Sequence, residues 1–157
     1  MSLDSVRAFL AETAPDLAII DQVASTATVA EAALALGVEP ARIAKTLSVK
    51  VGERVVLIVA RGDARLDNRK TRDALGGKPR MPDADTVMAL TGHPVGGVCP
   101  FGLATPLPVY CDISLRAFAT VFPAAGSRTA SIEITPDRLA AITGAQWVDV
   151  CTAPLDA

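Results

Sequence analysis

Two runs of β-branched and aliphatic residues, Ile43–Val51 and Arg54–Ala60, flank Gly52 and constrain the fold more than any other stretch. Each is long enough for a strand, and a glycine between two such runs is turn chemistry, so the pair is expected as a hairpin. Side chains alternate along an extended chain. Ile43, Lys45, Leu47, Val49 and Val51 therefore share one face, and Thr46, Ser48 and Lys50 take the other. Lys45 points where core residues point. Burying an unpartnered ammonium is costly, so this lysine is expected near a strand end, facing a cleft or an anion. There it could hold a phosphate or polarise an ester carbonyl. Two plainer readings compete: a lysine whose stem packs while its amine reaches water, or a bulge that reverses the parity.

The rest of the chain alternates between helix and strand signals. Leu3, Val6 and Leu10 mark an amphipathic first helix with Ser2 as its cap, and Leu17–Val23 reads as a strand. Thr28-Val29-Ala30-Glu31 has capping-box spacing, and the helix it starts should stop at Gly37. Asp67 and Asp83 are expected to cap helices ending near Gly76 and Gly92. Leu107–Asp112 reads as a strand, while Ser114–Phe122 is helical by period and strand-like at its β-branched end. A short strand is expected at Ser131–Ile134. Thr135-Pro136 then starts a helix that stops at Gly144, and Gln146–Val150 closes as a strand. Hairpins mixed with helices argue for an α+β domain. At 157 residues, one domain spanning 1–157 is expected.

Half of the residues are hydrophobic and 20% are charged, which excludes a disordered chain. No apolar run reaches the ~18 residues a membrane span needs, and the amino terminus lacks the basic-then-apolar order of a signal peptide. Cys99, Cys111 and Cys151 are an odd number without close pairing, so reduced thiols in a cytoplasmic protein are expected. With one histidine and no C-x-x-C, no metal site is expected. The net charge of −2 hides an uneven distribution. Residues 61–80 carry seven basic side chains against three acidic ones. Such a patch can hold a short piece of phosphate backbone, although a solvated helix face is the competing reading.

Thr91–Gly102, T-G-H-P-V-G-G-V-C-P-F-G, holds four of the eleven glycines and two of the eleven prolines. Adjacent glycines let a backbone approach a ligand and expose its amides, and prolines hold such a loop in one shape. A carbonyl, carboxylate or phosphate would suit it. A wide connecting turn is the alternative. A nucleotide P-loop is excluded, because no G-K-[ST] follows the glycines.

The order of these motifs is more specific than any one of them. Ala44-Lys45-Thr46-Leu47 opens a strand, and A-R-L-D-N-R-K-T-R-D-A-L-G follows at Ala64–Gly76. Then come the glycine loop, L-P-V-Y-C-D at Leu107–Asp112, and A-A-G-S-R at Ala124–Arg128 ahead of S-I-E-I-T-P-D-R-L. From about Val23 to Val150 this succession resembles the YbaK family, relatives of the editing domain inserted in bacterial prolyl-tRNA synthetases. The resemblance implies a mixed, largely antiparallel and partly barrel-like sheet flanked by helices. It also implies a free-standing aminoacyl-tRNA deacylase, a carboxylic ester hydrolase acting on the acceptor end of mischarged tRNA. The expected substrate is tRNA for proline carrying a small amino acid such as cysteine or alanine. A synthetase is a further candidate partner, and neither a cofactor nor a membrane is involved.

By the family pattern Lys45 is the catalytic lysine and Thr46 its neighbour in the site. Gly96, Gly97, Pro100 and Gly102 belong to the loop expected to hold the aminoacyl carbonyl, and Gly126 and Ser127 to a second small-residue turn lining the pocket. Some relatives carry lysine where Ser127 stands, so the pocket edge is less cationic here. Arg69 and Lys70 are expected to face the tRNA backbone. Because an aminoacyl ester is already activated, loop amides aimed at the oxyanion and a substrate-assisted attack would suffice without a protein nucleophile. His93 and Cys99 are therefore read as unlikely base and nucleophile, Asp112 as a cap, Arg128 as surface or RNA contact, and Trp147 as core. A non-catalytic module binding tRNA ends or a nucleotide-like ligand is the alternative function.

Overall fold

A computed structural model describes residues 2–94 and 96–152. In chain order the elements are α1 (Ser2–Thr13), β1 (Ile20–Asp21), α2 (Val29–Leu36), β2 (Ile43–Val51), β3 (Arg54–Arg61), β4 (Arg65–Leu66), α3 (Asn68–Leu75), β5 (Pro79–Arg80), α4 (Ala84–Thr91), β6 (Val109–Asp112), β7 (Phe122–Pro123), β8 (Ala130–Ser131), α5 (Pro136–Thr143), β9 (Gln146–Val148) and β10 (Cys151–Thr152). Short 3-10 turns cover Pro40–Arg42 and Ile113–Ala117.

The expected hairpin is the centre of the molecule. β2 and β3 pair antiparallel from Ala44↔Arg61 to Val51↔Arg54, turning through Gly52 at φ +62°. Val56 through Ala60 of β3 are all fully buried, which is why V-V-L-I-V-A reads as a continuous apolar run. β2 keeps the alternation. Ala44 joins Leu57 and Val59 of β3 in one core cluster, against α1, α5 and Phe101. Val49 and Val51 join Val56 and Ile58 in another, against Leu75 of α3 and Val150. α2 makes a third, smaller cluster with Ile43 and Phe122.

The main sheet runs β5-β2-β3-β6-β9, with β7 added to β2. β5 lies antiparallel to β2, whereas β3–β6, β6–β9 and β2–β7 are parallel, so the sheet is mixed. It is also open, which corrects the expected partial barrel. Closure needs the two end strands to meet, and β5 and β9 are short strands at opposite edges.

The caps form as the sequence implies. Side-chain oxygens of Thr28, Asp67, Asp83 and Thr135 accept the N–H groups of Glu31, Lys70, Thr86 and Arg138, at 3.1, 2.9, 2.7 and 3.3 Å. Gly37, Gly76, Gly92 and Gly144 close the same four helices in the left-handed region.

Other expectations shift. Of Leu17–Val23 only Ile20 and Asp21 form strand, because the available partner, β8, is itself two residues long. Ser2 lies inside α1 and turns its hydroxyl to His93 instead of capping. Ser114–Phe122 splits: a 3-10 turn covers its first residues and β7 begins at Phe122. The last expected strand stops at Val148. Just beyond it, the Val150 N–H donates to Asp112 Oδ1 at 2.8 Å, while Ser114 N–H donates to Oδ2 of the same carboxylate at 3.0 Å.

Asp112 is 1% exposed, so its removal leaves two N–H donors unmatched in the interior. Asp112→Ala is expected to lower the unfolding free energy by about 3 kcal/mol in urea titration, as loss of charge-assisted bonds predicts.

Candidate active site

β2 is paired along one edge by β3 but only at its two ends along the other. β7 meets Ile43 and Ala44, and β5 meets Lys50 and Val51. Beside the gap lies a cavity of about 350 Å³. Residues Ile43 to Ser48 of β2 form one wall, Thr26 to Val29 at the start of α2 another, and Met81 and Pro82 a third. Gly96 and Val98 of the glycine loop and Phe122 also line it. Apolar surface dominates, with hydroxyl side chains and Lys45 on the wall, as in ligand pockets generally.

The residues singled out by sequence divide into three groups. Lys45, Thr46 and Gly96 line this cavity together. The Lys45 amine donates to the carbonyl of Ala64. Burial has the largest effect on that amine and lowers its pKa from the ordinary lysine value; Cys151 and Asp63 act in the opposite sense, and Arg65 reinforces the lowering. Thr46 sits beside it on the opposite strand face, and among the described residues its buried Oγ1 has no hydrogen-bond partner.

Gly97, Gly102, Gly126 and Ser127 make a supporting layer. The Gly97 N–H donates to Pro94 O at 2.9 Å, so it is engaged within the loop and is not the bare amide the sequence suggested. A Cβ on Gly97 would sit 3.0 Å from the Ser127 backbone, so the glycine loop and the small-residue turn lie against each other. Gly102, at φ +58°, would drive a Cβ to 2.5 Å from Ser5 O, and Gly126 would meet Ser2 O at 2.8 Å. Both glycines let α1 pack closely. Pro100 is buried within the same loop. Ser127 Oγ accepts the Thr129 N–H at 3.2 Å.

The third pair lies on α3. Arg69 is exposed. Lys70 donates to Asp149 Oδ1 and to Cys151 O, both at 3.1 Å, and so ties α3 to residues 149–151.

His93 and Cys99 face inward. His93 is fully buried, its Nε2 is 2.7 Å from Phe101 O, and its Nδ1 is 2.5 Å from Ser2 Oγ. A carbonyl can only accept, so Nε2 carries the proton and Nδ1 accepts from the serine hydroxyl. The ring clamps the glycine loop to α1. Burial pushes the Cys99 thiol up to about 12, a value that leaves no thiolate to attack with. Among the described residues no three His, Cys, Asp or Glu side chains gather as metal ligands would. No described helix is long and apolar enough to cross a membrane.

Sequence reasoning missed most of the cavity walls. Ser48 could have been found, since it shares the Thr46 face two residues on. Met81, Pro82 and Thr26 carry no local signal, because long-range packing alone brings them to the site.

An α+β scaffold with a small-molecule-sized cleft, a lysine and unpaired polar groups defines a domain built to hold a polar ligand end. The chain belongs to the aminoacyl-tRNA editing domain family, whose model matches residues 23–142. It is 48% identical over 153 residues to the uncharacterized protein YwhH of Bacillus subtilis, covering 96% of this chain and 98% of that one. It is 33% identical over 120 residues to the Enterococcus faecalis protein named "Putative Cys-tRNA(Pro)/Cys-tRNA(Cys) deacylase EbsC", covering 74% and 73%. A crystal structure described as "a putative trans-editing enzyme for prolyl tRNA synthetase" superposes with a TM-score of 0.89 at 36% identity, covering 97% of this chain and 98% of the other.

The His93 clamp has a pH signature. Burial lowers its folded-state pKa, while the unfolded ring titrates at about 6.5. Its contribution to stability is therefore present above about pH 6.5 and is lost as pH falls from there toward the folded value. Urea unfolding at pH 7.5 and 5.5 should show a fall for the wild type that is absent in His93→Gln, which starts from lower stability.

Proposed function

We propose that this protein is a trans-editing aminoacyl-tRNA deacylase that hydrolyses the ester of mischarged tRNA, with tRNA for proline carrying alanine or cysteine as its main substrate. The observation that carries the reading is the meeting of Lys45, Thr46 and Gly96 on the wall of one cavity. Family membership and the names borne by its relatives point to the same class of reaction.

Hydrolysis of an activated ester asks for three things: a gripped carbonyl, a stabilised oxyanion and an attacking water or substrate hydroxyl. A lysine ammonium has three donors. Ala64 takes one, which fixes the amine and leaves two for a substrate oxygen, whether the ester carbonyl or the terminal phosphate. A partly buried cation of this kind stabilises developing negative charge more strongly than one in water. No buried thiol or histidine is needed as nucleophile or base. The apolar wall formed by Val29, Ala32, Ile43 and Phe122 would accept a small side chain and exclude water around it. Exposed Arg65, Arg69 and Arg72 would carry the acceptor stem by its phosphates, without reading bases. Action in the cytoplasm, where charged tRNA resides, and docking on a synthetase are compatible with this surface.

The assay incubates the protein with tRNA for proline charged with alanine, cysteine or serine and follows ester loss. Lys45→Ala should slow that loss about 100-fold, the scale of one oxyanion donor, without changing the melting transition by more than a few degrees. Binding of the charged tRNAs without hydrolysis of any would establish a non-catalytic module instead. Arg69→Glu should weaken tRNA binding and reduce the slope of log Kd against log salt by about 1.

A further inference from the structure

The hairpin register decides where the backbone of β2 points. Val51 and Arg54 face each other across a two-residue turn, so they must be a pair that exchanges both N–H···O bonds. Such pairs alternate along an antiparallel ladder. Val49, Leu47 and Lys45 then bond to β3, and the N–H and C=O of Thr46 and Ser48 project from the opposite edge. Pairing with β5 through Lys50, an even-numbered residue, follows the same alternation.

On that edge β7 ends at Ala44 and β5 begins at Lys50. Among the described residues no strand lies between them. The open stretch of five residues spans roughly 16 Å at strand rise. An unpaired edge is usually at the surface and left to water. This one forms the wall of the cavity, where Thr46 and Ser48 both contribute, and Ser48 is only 8% exposed. Among the described residues Thr46 Oγ1 is buried with no partner. A buried polar atom left unmatched costs free energy unless a ligand completes it. The Gly97 amide of the glycine loop is already engaged by Pro94 O and does not supply that donor.

The pattern is that of an amino acid's own main chain. An aminoacyl ester carries one donor, the α-ammonium, and one acceptor, the ester carbonyl, two bonds apart. A residue facing another across an antiparallel ladder presents the same two groups at the same separation. We propose that the free edge of β2 at Thr46–Ser48 recognises the substrate as a one-residue strand: a strand carbonyl and Thr46 Oγ1 take the α-ammonium, and a strand N–H takes the ester carbonyl. This deepens the deacylase reading and rests on it. Recognition through the main chain is the same for every small L-amino acid, and the apolar walls alone then sort side chains, as in other edge-strand sites.

The test uses the intact protein and tRNA for proline carrying alanine, cysteine or serine, each beside its ester lacking the amine (propionyl, 3-mercaptopropionyl, 3-hydroxypropionyl). Each rate is divided by the spontaneous hydrolysis of the same ester, because the ammonium itself activates the bond. The expected acceleration is at least tenfold smaller for every ester without the amine, among the pairs whose aminoacyl form is hydrolysed. Thr46→Val, which keeps the shape and removes the hydroxyl, should slow the aminoacyl esters about tenfold and leave the amine-free ones unchanged. Equal acceleration within each pair, or equal slowing of both members by Thr46→Val, would overturn main-chain recognition while leaving the deacylase intact. No acceleration of any aminoacyl ester would remove both.

Discussion

Everything at the site follows from the register between β2 and β3. The tight turn at Gly52 sets that register, and packing on both faces holds it, because a slip by one residue would move Val49 and Val51 to the face of Ala44 and turn Ser48 into their cluster. With the register fixed, Lys45 must lie on one strand face, Thr46 and Ser48 on the other, and their peptide groups at the edge. The strand is thus framework and site at once. β3 secures it on one side, and β7 and β5 hold its ends on the other, leaving an interval of open backbone between them.

A second constraint keeps the loop facing that interval. His93 is hydrogen-bonded at both ring nitrogens, to α1 through Ser2 and back to its own loop through Phe101. Gly102 and Gly126 remove the side chains that would hold α1 away. The glycine loop therefore works largely as packing. Gly96 reaches the cavity, while the neighbouring glycines permit close approach of helix, loop and the turn at Ser127. Thr26 completes the frame: its N–H and hydroxyl both donate to Arg128 O, at 2.6 and 3.1 Å, and so join the start of α2 to that turn.

Local rules made much of this readable beforehand. Four side-chain caps and four glycine stops were written in sequence because they satisfy backbone groups within a few residues of each other. Strand parity placed Lys45 and Thr46 on opposite faces for the same reason. What stayed hidden depends on distant partners. Leu17–Val23 has strand composition but finds only Ala130 and Ser131 to pair with. Adjacent glycines looked like bare amides, yet Pro94 takes the one at Gly97. Nor did sequence show that Lys70, expected to face RNA, also bonds to Asp149 and to the carbonyl of Cys151. Ordering of the motifs carried the family, and geometry was needed to find the open strand edge.

The central claim is that the aminoacyl end of a tRNA seats in the gap beside β2. Amide chemical shifts of the protein titrated with a non-hydrolysable alanyl-sulfamoyl adenosine test it most directly. Shifts concentrated at Thr46, Ser48 and Gly96 are the expected result. Shifts confined to the other groove, between Arg7 and Ile19, with the β2 amides unmoved, would contradict it.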